Sequence, residues 1–163
     1  MRRAVVVGSQ GQDGRLLCER LKASGVGVTG LSRGGPVDAL DGKAVDSLLA
    51  RAKPDQIYYL AAFHHSSEDA PIDGAELFRR SAAVHLQGLV HFLEALARRL
   101  RSCRLFYAAS SHVFGAGSGK PLDEAAPLRP ANAYGVTKAA GMLACRYFRE
   151  QRGLFASTGI LFN

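Results

Sequence analysis

The chain has no tryptophan, three cysteines and six prolines among 163 residues, and it lacks any long apolar run. Each shortage excludes something. Nothing approaches the roughly 18 consecutive apolar residues that cross a bilayer as a helix. Met1-Arg2-Arg3 followed by Ala4-Val5-Val6-Val7 has the charge-then-apolar order of a secretory signal, but Gly8 and the polar residues behind it cut the run short. The expected location is the cytoplasm. Cys18, Cys103 and Cys145 are odd in number and far apart, with no C-x-x-C pair. That argues against a disulfide framework or a cysteine metal site and leaves buried free thiols in a reducing compartment. No segment is low in complexity and none repeats, so the eighteen glycines point to tight turns and close backbone approaches rather than disorder.

What is present suffices for one core and is too little for two. With 47% hydrophobic residues in 163, the chain has the size of a single α/β domain. Its formal charge of +7 raises nucleic acid as a partner. The basic residues are spread along the chain, however, and the densest group, Arg98, Arg99, Arg101 and Arg104, reads as a solvated helix end. No nucleic acid and no membrane are expected as partners; a basic surface also suits a polyphosphate ligand.

Strand and helix patterns alternate. Residues 3 to 8 are a β-branched run closed by glycine, the pattern of a strand buried on both faces of a parallel sheet. Residues 12 to 24 carry Leu16, Leu17 and Leu21 at helical spacing and stop at Gly25. A second strand is expected at 26 to 32, a turn at Gly34-Gly35-Pro36, a stub of a third strand at 37 to 40 and a short helix at 42 to 52. A fourth strand at 56 to 61 leads through a His/Ser/Asp-rich loop into a long helix, where Ala82, Leu86, Leu89, Leu93, Leu96 and Leu100 form one apolar stripe. The stripe packs on the sheet or, in part, forms a seam with another copy, giving a homo-oligomer through the long helices. Residues 104 to 110, 133 to 151 and 155 to 162 follow as strand, helix and strand. Such alternation implies an α/β fold with a doubly wound parallel sheet, right-handed crossovers and helices on both faces.

Gly8, Gly11 and Gly14 lie between the first strand and first helix, as G-S-Q-G-Q-D-G. A turn that merely needs glycine is one reading. The other is a ligand: glycines let the backbone approach a pyrophosphate, which the free N–H groups of the helix start then hold. Gly8, Gly11, Gln12, Asp13 and Gly14 would then cradle a dinucleotide. An NAD site usually places a carboxylate after the second strand, whereas this strand ends Leu31-Ser32-Arg33. Arginine pairs with a 2′-phosphate. NADP is therefore expected over NAD, unless Arg33 is an ordinary surface residue.

Tyr134 and Lys138 form a Y-x-x-x-K pair at the start of a helix, so their side chains project from one face. A free tyrosine titrates near pH 10, and an ammonium beside it favours the phenolate, which can exchange a proton with a hydroxyl while hydride moves to a nicotinamide. Lys138 could also hold the nicotinamide ribose. The pair alone is common by chance. Its place after a strand ending in Ala108-Ala109-Ser110-Ser111 raises its weight, because ligands bind at the carboxyl ends of strands in open α/β sheets. Ser110 is then available to hydrogen-bond the same substrate oxygen.

These features together resemble the extended short-chain dehydrogenases, the epimerase/dehydratase class, and within it the GDP-mannose 4,6-dehydratases. The words that carry the resemblance are Gly11-Gln12-Asp13-Gly14, Pro54-Asp55-Gln56-Ile57-Tyr58-Tyr59-Leu60-Ala61-Ala62, Ala133-Tyr134-Gly135 with Lys138, and Gly159-Ile160-Leu161-Phe162-Asn163. The resemblance implies a Rossmann-like fold and action on a nucleotide sugar, GDP-linked by kinship alone, through hydride transfer at the sugar C4 followed by loss of water. It implies that Asp38 meets the adenine end of the cofactor, that Leu60, Ala61 and Ala62 line the adenosine side, and that Ser111 and Asn163 lie on the substrate side.

Two departures stand out. The dehydratases carry an acidic residue two places after the catalytic Ser/Thr, where this chain has His112. His112 is an acid or base in its own right, the sign of a different reaction such as 4-keto reduction or 4-epimerisation, or a histidine that packs. His85 stands where the class often has Asn or Asp. His64 and His65 raise a metal site, but no second ligand cluster accompanies them; a loop lining the substrate cleft is the better reading and no metal is expected. Asp123 and Glu124, adjacent in a Pro-rich loop, read as solvated. In this class a carboxyl-terminal substrate lobe begins near where the chain ends, so the expectation is a single NAD(P)-binding domain over residues 1–163 without that lobe, able to bind NADP and poorly able to turn over substrate. A non-catalytic NADP-binding module is the alternative from another class of function.

Overall fold

The computed structural model describes residues 1–66, 68–116 and 121–162. Five strands, β1 (Arg3–Val7), β2 (Gly27–Leu31), β3 (Gln56–Tyr59), β4 (Arg104–Ser110) and β5 (Phe155–Leu161), form one sheet in the order β2-β1-β3-β4-β5. All are parallel, and their register brings Val7 beside both Leu31 and Tyr59, Tyr59 beside Tyr107, and Ser110 beside Leu161. The carboxyl ends therefore open toward one rim of the sheet. The helices are α1 (Gln12–Ala23), α2 (Gly42–Ala52), α3 (Gly74–Ala82), α4 (Gly88–Arg99) and α5 (Ala133–Arg152). This is the Rossmann-like architecture that the alternating pattern implies.

Alternation along each strand divides the two faces. Val5, Val7, Ile57, Tyr59, Leu105 and Tyr107 face a single core that also contains Val45 and Leu49 of α2, Leu89, Phe92, Leu93 and Leu96 of α4, and Cys145 and Phe148 of α5. α1 contributes nothing to this core and packs on β1 and β2 from the other side. Leu89, Leu93 and Leu96 are fully enclosed, so the central part of the predicted stripe serves packing on the sheet rather than a seam with another chain. Cys103 and Cys145 are buried free thiols, pushed up to about 12 and about 11 by burial; Cys18 is only partly covered. Among the described residues, no helix is long and apolar enough to cross a membrane.

The long helix is interrupted. Asp73 caps α3 by accepting from the Ala75 and Glu76 amides, and between α3 and α4 lies a π-helical turn over Ala83–Gln87. A π turn shifts the backbone pairing by one residue. Two core tyrosines serve the carbonyls there: the Tyr59 hydroxyl donates to the Val84 carbonyl at 2.6 Å, and the Tyr107 hydroxyl to the His85 carbonyl at 3.2 Å. Burial pushes both phenols well above their ordinary range, which keeps them as donors. α5 approaches the turn at Gly141, where an added Cβ would run into the Tyr107 ring and come within 2.8 Å of the His85 carbonyl.

The expected stub of a third strand is absent among the described residues, and residues 37 to 40 run as a bend, an irregular residue and a turn. The physical reason is local. Pro36 has no N–H to give a ladder, the Asp38 carboxylate accepts the Leu40 amide at 2.9 Å, and Asp41 caps α2 through the Lys43 and Ala44 amides. Short side-chain bonds of this kind outcompete strand pairing. The strand expected at 56 to 61 also stops at Tyr59, although the Leu60 amide still reaches the Val7 carbonyl at 2.8 Å.

Tyr59→Phe removes one hydroxyl from the π turn and leaves ring packing intact. It is expected to lower stability by about 1 to 2 kcal/mol, read by urea unfolding; an unchanged midpoint would show that the Val84 carbonyl does not depend on the phenol.

Candidate active site

The glycine turn is held by backbone contacts with almost no spare room. The Gly8 and Ser9 amides donate to the Leu31 carbonyl at 2.8 and 2.9 Å, and Gly11 donates back to the Gly8 carbonyl at 3.0 Å. Gly8 has φ +90°, and a Cβ there would lie 2.8 Å from the Ala61 amide nitrogen; a Cβ at Gly14 would collide with the Gly8 carbonyl. The sequence of the turn is therefore dictated by close approach of β1, the loop after β3 and the first turn of α1. Side chains cap α2, α3 and α5, whereas α1 begins at Gly11 with no side-chain cap. Gln12 and Asp13 open that uncapped turn. Its N–H groups are the donor set that an anionic group would need.

The other predicted nucleotide-side residues lie on the same rim. Arg33 follows β2 in an exposed turn, with no ion pair or hydrogen bond of its side chain among the described residues. Asp38 is exposed in the turns before α2, and its carboxylate is engaged by the Leu40 amide. Leu60, Ala61 and Ala62 continue directly from β3, with Ala61 against Gly8.

Tyr134 stands at the first turn of α5, enclosed by three imidazoles. Its ring meets those of His85, His112 and His64 edge-on, with centroids 5.0, 5.6 and 6.0 Å away. Lys138, one turn on, is 2% exposed. Its Nζ donates to the Ala108 carbonyl at 2.8 Å and sits 5.2 Å from the Tyr107 ring centroid and 5.6 Å from that of Tyr134. Burial pulls the lysine down to about 8 and pushes the Tyr134 phenol above its ordinary range. The ammonium is spent on a β4 carbonyl and on ring faces, so the phenol has no direct bond to it among the described residues. Ser110 ends β4, and its Oγ accepts the His112 amide at 3.3 Å.

His85 is buried in the π turn and joins three segments. Its Nε2 accepts the Phe63 amide at 3.0 Å and its Nδ1 pairs with Thr137 Oγ1 at 2.8 Å. Because Nε2 accepts, the ring proton lies on Nδ1 and is donated to Thr137, whose hydroxyl passes on to the Ala133 carbonyl at 2.9 Å. Burial, with a smaller contribution from Lys138, pushes this histidine down to about 3. It is a neutral brace tying the loop after β3 to the base of α5, directly beside Tyr134.

Ser111 and His112 open a short 3-10 turn over Ser111–Phe114. With Leu122, Ala131, Asn132 and Phe162 they line a cavity of about 450 Å³. Asn163 lies outside the described residues. Among those described, no group of three metal-ligating side chains occurs, and His65 pairs instead with Asp69 at 3.6 Å.

A family model described as the NAD dependent epimerase/dehydratase family matches residues 4–163. The chain belongs to this family. GDP-mannose 4,6 dehydratase 2 of Caenorhabditis elegans is 29% identical over 191 aligned positions, which cover 98% of this chain and 48% of that protein. UDP-glucose 4-epimerase from Brucella ovis, solved in complex with NAD, superposes with a TM-score of 0.87 at 19% identity, over 100% of this chain and 52% of that one. RMD from Pseudomonas aeruginosa, solved with NADPH, has a TM-score of 0.76 at 25% identity, over 98% and 53% of the two chains. The chain spans about half the length of the curated relatives it matches.

For a member of this family, the glycine turn, Ser110, Tyr134 and Lys138 are the residues that motif spacing singles out. Thr137 and Asn132 are not, and His85 stands out only as a departure from the Asn or Asp usual at its place. Their signal is weak: a histidine inside an apolar stripe and an asparagine before a helix become legible only when the packing shows what they touch.

The neutral His85 has a consequence for acid stability. The unfolded chain takes up this proton near pH 6.5 while the fold refuses it down to about pH 3. Between those values the unfolded state holds the extra proton, so stability falls as pH falls, by up to about 1.4 kcal/mol per pH unit. His85→Asn should flatten the difference in a denaturant series from pH 7 to pH 4; equal slopes would show that the ring ionises in place.

Proposed function

We propose that this chain is the dinucleotide-binding part of an NADP-dependent enzyme that modifies a nucleotide-linked sugar, with GDP-mannose the first substrate to test. The observation that carries the reading is the convergence, on one rim of the sheet, of an uncapped glycine turn with a Ser110, Tyr134 and Lys138 constellation. The residues present fit a dinucleotide: glycine at positions 8 and 14, where any Cβ would strike backbone, lets the turn close tightly over the start of α1, and α1 begins with no side-chain cap on its first N–H groups. Arg33 would pair with the 2′-phosphate, and Ala61 beside the turn would line the adenosine side.

When bound, the nicotinamide supplies the acceptor and donor of hydride. Tyr134 takes up and returns the proton of the sugar hydroxyl whose carbon is oxidised, while Ser110 Oγ steadies the same oxygen. Lys138, buried beneath the phenol, places positive charge where a phenolate would form and is in reach of a role at the nicotinamide ribose. Dehydration of the sugar is the first reading. Epimerisation or 4-keto reduction at C4 is the second, and it is favoured by His112, whose ring is bonded to Asn132 at 3.1 Å in a place where the resembling dehydratases carry an acid.

Calorimetric titration with NADP and NAD tests the cofactor directly. NADP is expected to bind more tightly, and Arg33→Ala to weaken NADP by about 10- to 100-fold with little change for NAD; equal affinities in wild type would remove Arg33 from the 2′-phosphate. In a protein that also carries a substrate lobe, Tyr134→Phe should lower turnover about 10²- to 10⁴-fold with NADP affinity retained. Preserved turnover would dismiss the acid/base role, and brisk turnover of GDP-mannose by the 163-residue chain would dismiss the need for that lobe.

A further inference from the structure

Asn132 does two things with one amide. Its Oδ1 accepts the Gly135 amide at 2.8 Å and so caps α5. A backbone N–H can only donate, so this bond decides which end of the side chain faces the helix. Nδ2 is then the end that meets His112 Nδ1 at 3.1 Å, and an amide NH₂ can only donate as well. His112 Nδ1 must accept, and the proton of the neutral ring is left on Nε2. That nitrogen has no partner among the described residues, and the ring belongs to the wall of the cavity of about 450 Å³ that Ser111, Asn132 and Phe162 also line.

We infer that Asn132 is a positioning residue that locks His112 as its Nε2–H tautomer, so that the cavity the two residues line presents a hydrogen-bond donor to an oxygen of the ligand. With asparagine at this position the helix cap and the histidine tautomer are set by one side chain. A group held this way complements a hydroxyl, carbonyl or phosphate oxygen and offers no lone pair to a ligand N–H. It hands over a hydrogen bond at once, whereas taking up a proton at Nδ1 would require the Asn132 amide to leave. What the donor is used for rests on the proposed enzyme reading; the tautomer does not.

Nitrogen-15 NMR of the histidine rings at about pH 8, where imidazoles are neutral, reads the tautomer, with the His112 signals identified by their loss in His112→Gln. In the wild-type chain Nε2 should be the protonated nitrogen. Asn132→Asp keeps the cap, since Asp and Asn cap equally well, but turns the donor into an acceptor; the proton should move to Nδ1 and the two ring signals exchange character. Asn132→Ser also caps and has no amide to reach the ring, so its signals should move toward an average of the two forms, while the thermal midpoint stays close to that of wild type. A wild-type ring protonated on Nδ1, or a His112 tautomer that is the same in all three folded proteins, would overturn the inference. The spectrum is taken on the chain alone, so a failed cofactor titration counts against the enzyme reading and a wrong tautomer counts against Asn132.

Discussion

The point on which the rest of the molecule hangs is the π turn at His85. Two strands reach it through the Tyr59 and Tyr107 hydroxyls, the loop after β3 reaches it through the Phe63 amide, and α5 reaches it through Thr137. Each of these is a polar bond in an apolar setting, where an unpaired group is costly and a paired one is strongly directional. Displacing His85 would therefore disturb Ala61 against Gly8 on one side and Tyr134 on the other, although neither touches it through a hydrogen bond. The glycine turn and the phenol are positioned by the same buried ring.

Burial then acts on the candidate chemistry in a consistent direction. It holds His85 neutral, lowers Lys138 and raises Tyr134, disfavouring every charged form in the same small volume. A phenolate there would need the neighbouring ammonium more than an exposed pair would, and the ammonium would gain from the phenolate in turn. Lys138 already spends a donor on the Ala108 carbonyl, so its charge is fixed in place by β4 rather than left on a flexible stem. The strand that supplies Ser110 also anchors the lysine.

Much of this was legible in the residues alone. The β-branched run before Gly8, the glycine spacing, and the order of Ser110, Tyr134 and Lys138 report local patterns with local causes, and the sheet and helices follow them. The π turn was not legible because the apolar stripe passes through it without a break; its signature is the partners of two carbonyls, and those hydroxyls come from 25 and 22 positions away. The missing strand at 37 to 40 failed for the opposite reason: Asp38 and Asp41 act over two or three residues, a range on which turn bonds defeat a weak strand pattern. Asn132 escaped notice because a capping residue and a histidine partner are indistinguishable from a loop until α5 and the turn after β4 meet.

Replacing a strand by turns leaves β2 as the outermost member of the sheet. Its outer row of peptide groups is the kind of surface that recruits strands from other molecules, the usual first step toward ordered aggregates. The sequence of that strand, Gly27-Val28-Thr29-Gly30-Leu31, answers the hazard with two residues that disfavour extended pairing. One of them is also confined by its own neighbour, since a Cβ at Gly30 would lie 2.6 Å from Ser9 Oγ. A substitution at Gly30 that made β2 a better strand would thus crowd Ser9 in the glycine turn and sharpen an adhesive rim together.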